Sequence, residues 1–134
     1  MNTEKKYKIL VAEDNHINIQ VAKYMLAKVS TVLDFVMDGQ SAVDQFINNS
    51  YDIILMDMKM PVLDGIEATK AIRDIEASRN SKTRIPIIAM TANSACEKAA
   101  DCEKAGMDGF LSKPFNTDDL LRVIKTIEQD RLQQ

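Results

Sequence analysis

The stretch that decides the fold is DIILMDMKMPVLDG, residues 52–65. The near-continuous apolar run before Asp57 is typical of a strand that is covered on both faces of a parallel sheet. A Pro and an Asp-Gly pair follow, and they indicate a loop. Burying a charge is costly unless another group compensates it, so we expect the rest of the chain to supply a partner for Asp57.

Short apolar runs of the same kind recur along the chain and alternate with helical patterns. The predicted strands are residues 7–12, 31–36, 52–56, 85–90 and 109–112. The predicted helices run from about Asn15 to Ala27, from Asp38-Gly39 onward, from the loop at Gly65 to about Ala77, from Ser94 to Gly106, and from Asn116 or Thr117. Five strands that alternate with five helices predict an α/β fold with a parallel sheet covered by helices on both sides.

Caps and apolar spacing define these helices. In the first helix, Asn15 is the predicted cap, and Ile17, Val21, Tyr24 and Met25 recur at helical spacing. In the fourth, Ser94 and Glu97 fit a capping box. Cys96 and Cys102 fall in that fourth helix, and we expect both to be reduced packing residues. His16 is expected at the surface, at the start of the first helix.

Composition bounds the class of protein. The 134 residues suit one domain, and a net charge of −3 with pI near 5.2 argues against direct nucleic-acid binding. No apolar run approaches the roughly 18 residues that a membrane span needs. The first eight residues, MNTEKKYK, lack the apolar core of a signal peptide. We therefore expect a cytoplasmic domain with no membrane insertion.

Polar residues follow four of the predicted strands. Glu13 and Asp14 follow the first strand, Asp57 the third, Thr91 the fourth and Lys113 the fifth. Because parallel strands end at one edge of a sheet, where such folds bind ligands, these five side chains are expected in one pocket.

Three carboxylates so close together repel each other, and Lys113 offsets only one of them. Mg²⁺ could offset the remaining negative charge, since in proteins it binds few carboxylates, keeps water ligands and binds phosphate oxygens. An ionised Asp57 could then act as a nucleophile toward phosphorus and form an acyl phosphate. Lys113 and Thr91 would stabilise the transferred group.

Other functions remain open on these residues alone. A Mg²⁺-dependent phosphatase with an aspartyl nucleophile of the haloacid-dehalogenase type would want a second Asp where Lys59 stands. A flavodoxin-like nucleotide or flavin binder would want a Gly- or Ser/Thr-rich loop where Glu13 and Asp14 stand. A protein-interaction module without chemistry would not need the five polar residues. Each residue also has a simpler interpretation, such as a cap, a strand end or a solvated lysine.

The segments VAEDN, DIILMDMKMPVLDG, IPIIAMTA and FLSKPF resemble the receiver domain of two-component response regulators. The resemblance spans about Lys8 to Ile127. It implies a doubly wound, flavodoxin-like fold with strand order 2-1-3-4-5. It also implies a single receiver domain over residues 1–134, with a core of about 7–128.

The same resemblance implies roles for the residues. Asp57 would accept a phosphoryl group from a phosphohistidine. Asp14, Asp57 and the backbone carbonyl of Lys59 would bind Mg²⁺, with Mn²⁺ as a substitute. Glu13 would act through a metal-bound water.

The resemblance implies a conformational switch as well. Thr91 and Lys113 would contact the phosphoryl group, and Phe110 would turn inward after Thr91 moves. The Lys113–Pro114 peptide bond would be cis. The face formed by the fourth helix, the fifth strand and the last helix would carry the readout and could mediate a homodimer.

The segments AEDNHIN, AMTAN and KAGMDGFLSKP are similar to the corresponding segments of receivers attached to hybrid histidine kinases. The implied partners are a histidine kinase or a histidine phosphotransfer domain. A stand-alone regulator that acts by protein–protein interaction is the alternative. Either way the chain would not be an enzyme beyond phosphorylating itself from phosphodonors and dephosphorylating itself.

Overall fold

The structure is a computed structural model that describes residues 6–58, 62–80, 84–91, 103–113 and 115–132. Its strands are β1 (Tyr7–Ala12), β2 (Ser30–Val36), β3 (Ile53–Asp57), β4 (Ile87–Thr91) and β5 (Gly109–Ser112). They form one parallel sheet in the order β2-β1-β3-β4-β5, so the expected fold is confirmed.

Three predicted strands have limits that differ from the structure. β2 begins at Ser30, one residue earlier than predicted. β3 begins and ends one residue later than predicted, so Asp57 is the last residue of the strand rather than the residue after it. β4 was predicted over 85–90 but runs from Ile87 to Thr91. Pro86 explains the later start, because proline has no N–H to give to the sheet. Its carbonyl still accepts a hydrogen bond from Ile54 at 3.0 Å.

The helices are α1 (His16–Leu26), α2 (Gly39–Asn48), α3 (Gly65–Ser78) and, as the last one, α4 (Thr117–Leu132). Asn15, Asp38 and Asp64 cap the first three, each accepting a backbone N–H with its side chain. The predicted helix from Ser94 to Gly106 lies largely outside the described residues, as do both cysteines. Its described end, residues 103–105, is helical.

The central strands β1 and β3 point alternate side chains to opposite faces of the sheet. On one face, Ile9 and Leu55 pack with residues of α1 and α4. On the other face, Leu10 and Ile54 pack with residues of α2 and α3. Both central strands are therefore buried on two sides, as their near-continuous apolar sequences predicted.

Of the apolar residues whose spacing predicted α1, only Met25 packs against the core, where it is partly buried. Ile17, Val21 and Tyr24 are 75%, 46% and 87% exposed. The helix instead buries Ile19, Ala22 and Leu26 against the sheet. Both sets of residues have helical spacing, so the spacing alone does not tell which set is buried. The packing of α1 against β1 and β2 buries Ile19, Ala22 and Leu26. His16 is exposed at the start of the helix, as expected.

Within the ranges that the structure describes, we find no helix with the length and apolar character that crossing a bilayer requires.

Candidate functional site

The register of the sheet brings the strand ends to one edge. Ala12 pairs with Met56, and the residues that follow them are Glu13 and Asp57. Asp57 in turn pairs with Met90, so Thr91 lies one residue further along the neighbouring strand. The carboxyl ends of β1, β3 and β4 therefore meet at one level.

Three carboxylates meet at this edge. Glu13, Asp14 and Asp57 each place an oxygen within 4.8 Å of the others. Glu13 and Asp57 are only 2% and 8% exposed, whereas Asp14 is exposed. Two of the three charges are therefore partly removed from water, which strengthens their mutual repulsion.

Lys113 supplies a cation to this cluster. Its Nζ lies 2.7 Å from Oε1 of Glu13 and 3.3 Å from Oδ2 of Asp57. The backbone fixes the position of Lys113, since its N–H donates to the carbonyl of Thr91 at 2.7 Å. The ammonium thus bridges Glu13 and Asp57, with its shorter contact to Glu13.

The environment of Glu13 favours its ionised form. Burial alone would raise its pKa, but hydrogen bonds with the Lys113 ammonium, the Asn15 N–H and the Asp57 side chain, together with the charge of Lys113, outweigh burial and lower the pKa. The Asn15 N–H donates to Oε2 of Glu13 at 3.2 Å. The sequence marked Asn15 only as a helix cap, and a turn contact of this kind has no clear sequence signal.

The donor set of this cluster fits a hard divalent cation. Three carboxylates against one ammonium leave two negative charges uncompensated when all are ionised. At an effective dielectric constant of about 20, two like charges about 4 Å apart repel by roughly 4 kcal/mol. All three residues would bind the ion through carboxylate oxygens, and Asp14 is exposed to solvent. This arrangement suits Mg²⁺, which usually keeps several of its waters.

The other predicted residues stand as follows. Thr91 ends β4 and is partly buried. Phe110 lies in β5, is 36% exposed and lines a surface groove of about 420 Å³ with Arg122 and Val123 of α4. Lys59 and Pro114, including the predicted cis bond, lie outside the described residues.

Comparison with known families gives a match over most of the chain. Residues 9–125 match the family model described as "Response regulator receiver domain". The chain belongs to the response regulator receiver family. The family assignment made from the four sequence motifs is therefore confirmed.

Curated relatives of this receiver domain are histidine kinases. It is 42% identical over 131 residues to Histidine kinase 5 of Arabidopsis thaliana, and the match covers 81% of this chain and 14% of that protein. It is 38% identical over 126 residues to Hybrid signal transduction histidine kinase B of Dictyostelium discoideum, covering 89% of this chain and 6% of that protein. The chain therefore spans only a small part of each relative.

Solved receiver structures resemble it in both sequence and fold. The receiver domain of a sensor histidine kinase from Pseudomonas aeruginosa PAO1, which has magnesium coordinated in its active-site cleft, is 40% identical with a TM-score of 0.77. The match covers 90% of this chain and 96% of that one. The receiver of the histidine kinase CKI1 from Arabidopsis thaliana, complexed with Mg²⁺ and BeF₃⁻, is 33% identical with a TM-score of 0.78. Here 94% of this chain and 92% of that one are covered.

Proposed function

We propose that this receiver domain accepts a phosphoryl group on Asp57 from a phosphohistidine of a partner protein. The observation that carries the proposal is the buried carboxylate of Asp57 at the end of β3, 3.3 Å from the Lys113 ammonium and beside Glu13 and Asp14. A carboxylate oxygen attacks phosphorus while the P–N bond of the phosphohistidine breaks. The imidazole leaves with the electron pair of that bond.

Side chains around Asp57 would stabilise the charge of the transferred group. Lys113 can neutralise one phosphoryl oxygen as a point charge, and the Thr91 hydroxyl can donate a hydrogen bond to another. Asp14, Asp57 and the Lys59 carbonyl would hold Mg²⁺ or Mn²⁺, with Glu13 binding through a water. The ion supplies charge compensation for the phosphoryl oxygens.

The exposed apolar face of α1 suits the docking of the phosphohistidine partner. Ile17, Val21 and Tyr24 are exposed on a helix that begins three residues after Glu13. A groove of about 110 Å³ joins this face to the site, since Val21, Met25, Glu13 and Lys113 all line it. An apolar patch beside a reactive carboxylate favours a partner that presents its histidine on an apolar helix surface, as a histidine phosphotransfer domain or a kinase would.

Switching would follow phosphorylation at the same edge of the sheet. Thr91 would move toward the phosphoryl group, and Phe110 would turn from its exposed position toward the space that opens. The face that includes β5 and α4 would then change shape, and it is our candidate for readout and for a homodimer. The added charge would shift the equilibrium between two conformations of this face.

The hybrid kinase relatives support a corresponding context for this chain. We propose that it is the cytoplasmic receiver of a hybrid histidine kinase in a phosphorelay, as one domain with its core at about residues 7–128. A stand-alone receiver that acts through protein contacts is the alternative. Any catalysis of its own would be limited to self-phosphorylation from small phosphodonors and autodephosphorylation.

Phosphorylation by acetyl phosphate tests the phosphoacceptor role directly. The chain is incubated with acetyl phosphate and Mg²⁺, and its intact mass is measured. We expect one added phosphoryl group on the wild type, none on Asp57→Asn and none with excess EDTA. A folded wild-type chain that takes up no phosphoryl group would favour the interaction module, and turnover of small phosphate esters would favour a phosphatase.

A further inference from the structure

Two helices begin with a glycine that touches the backbone next to the site. Gly39 is the first residue of α2, and a Cβ at this position would overlap the carbonyl oxygen of Leu63 and lie 2.7 Å from the Leu63 Cβ. Leu63 belongs to the connection between β3, which ends at Asp57, and α3. The N-terminus of α2 therefore packs on this connection at a distance that only glycine permits.

The second glycine touches the phosphoacceptor itself. Gly65 is the first residue of α3, and a Cβ there would overlap the carbonyl oxygen of Asp57 and lie 3.1 Å from the Cα of Met58. The Gly65 N–H also donates to the Met58 carbonyl at 3.2 Å. The start of α3 thus rests directly on the backbone that carries the reactive carboxylate.

Helix formation does not account for glycine at these two positions. Both residues follow a capping aspartate, Asp38 or Asp64, that already bonds an N–H of the first turn. Neither glycine is among the residues with a positive φ. Alanine has the better helix propensity, so the close backbone approach is the feature that requires glycine.

We propose that Gly39 and Gly65 are positioning residues that hold the Asp57 carboxylate in register with Glu13 and Asp14. An alanine at either position must displace backbone, because the atoms in its way are not the flexible end of a side chain. A displacement at Gly65 acts directly on the Asp57 carbonyl, whereas one at Gly39 acts through Leu63, two residues before Gly65. We expect either to move Asp57 relative to Glu13 and Asp14, whose carboxylate oxygens lie within 4.8 Å of its own. The inference rests on the proposed function, since it concerns the ion that this cluster would bind.

Magnesium titration by calorimetry tests the proposal, with folding followed separately by circular dichroism and urea unfolding. We expect Gly39→Ala and Gly65→Ala to bind Mg²⁺ about tenfold more weakly or worse, the size of effect seen when groups that orient metal ligands are lost. Gly109→Ala is the matched control. A Cβ at Gly109 meets the Val123 Cγ1 at 2.7 Å, and a side chain can yield. Gly109 is the first residue of β5, at the opposite end of that strand from Lys113. This variant should lose stability but keep the wild-type Mg²⁺ affinity.

The outcomes separate this inference from the proposed function. A folded wild type that binds no Mg²⁺ contradicts the proposed function. A wild type that binds Mg²⁺, together with a Gly39→Ala or Gly65→Ala chain of unchanged affinity, removes that glycine from the positioning role. Equal weakening in Gly109→Ala would show that the effect is general destabilisation. An unfolded variant is refolded in trimethylamine N-oxide and compared with the wild type in the same solution.

Discussion

We expect the Asp57 carboxylate to destabilise the fold when no divalent cation is bound. The Asp57 side chain is 11% exposed and shares one ammonium with Glu13, whose contact with Lys113 is the shorter one. Removing its charge relieves repulsion with Glu13 and Asp14 while the Glu13–Lys113 pair remains. We therefore expect Asp57, the proposed phosphoacceptor, to oppose stability in the ion-free protein.

We expect Asp57→Asn to raise the free energy of unfolding in EDTA by about 1 kcal/mol, within the usual range of single substitutions. Urea unfolding measures the change. In Mg²⁺, the difference in free energy of unfolding between Asp57→Asn and the wild type should become smaller or change sign, since the ion stabilises the wild type more. Asp74→Asn, at an exposed position of α3, is the control and should stay within about 0.5 kcal/mol of the wild type. A variant less stable than the wild type in EDTA would contradict the repulsion argument.

At the level of single residues, the sequence located the site but not its contacts. The rule that parallel strands end at one edge predicted that Glu13, Asp57 and Lys113 would meet, and they do. It could not predict that Lys113 sits closer to Glu13 than to Asp57, because that depends on side-chain conformation. The packing of Gly39 on Leu63 also had no sequence signal, since it joins the start of α2 to a connection that is distant along the chain.

At the scale of elements, strands were predicted more reliably than helix faces. β1 and β5 have the predicted limits because each is a short apolar run that is followed by polar residues. α1 has two apolar stripes, and helical periodicity cannot say which one packs on the sheet. The stripe left in solvent is the one we propose for partner docking.

We expect the double variant Ile17→Ala/Tyr24→Ala to slow phosphoryl transfer from a phosphorylated histidine phosphotransfer domain by about tenfold, as the loss of a central apolar contact often does. Its phosphorylation by acetyl phosphate should match the wild type, because neither side chain is among the residues that form the carboxylate cluster. Ile47→Ala on α2, which is 45% exposed, is the control. Equal slowing with both phosphodonors would mean that the site, and not docking, has changed.

A largely buried arginine lies near the amino-terminal end of β5. Arg73 of α3 donates to the Gly106 carbonyl at 2.7 and 2.9 Å and pairs with Glu76 and Asp108 at 2.7 Å. Its side chain is 13% exposed, whereas that of Arg84, which also pairs with Asp108, is 51% exposed. Arg73 therefore links α3 to the segment that leads into β5.

We expect Arg73→Ala to lower the free energy of unfolding by about 3 kcal/mol, because it leaves the Gly106 carbonyl and two largely buried carboxylates without their cation. Arg84→Ala should cost less than about 1 kcal/mol, as is usual for exposed ion pairs. Urea unfolding of both variants measures the contrast. Similar losses for the two would show that burial does not set the strength of these pairs.

For the whole molecule, the two hydrophobic clusters lie on opposite faces of one sheet and share its central strands. Neither cluster can come apart without exposing strands that the other covers. Folding should therefore be cooperative across the chain. Any ion held at the strand ends should stabilise the entire fold, since the strands that carry Glu13 and Asp57 are those central ones.

We expect one urea transition, with the same midpoint by far-UV circular dichroism and by tyrosine fluorescence. Mg²⁺ at ten times its dissociation constant should add about 1.4 kcal/mol to the free energy of unfolding. The dependence of the free energy of unfolding on urea concentration should not change, because binding the ion hardly alters the surface area that unfolding exposes. Na⁺ at equal ionic strength is the control, since simple screening would act in the same way with either cation. Separate midpoints for the two probes would contradict a single cooperative unit, and equal effects of Mg²⁺ and Na⁺ would contradict a specific ion site.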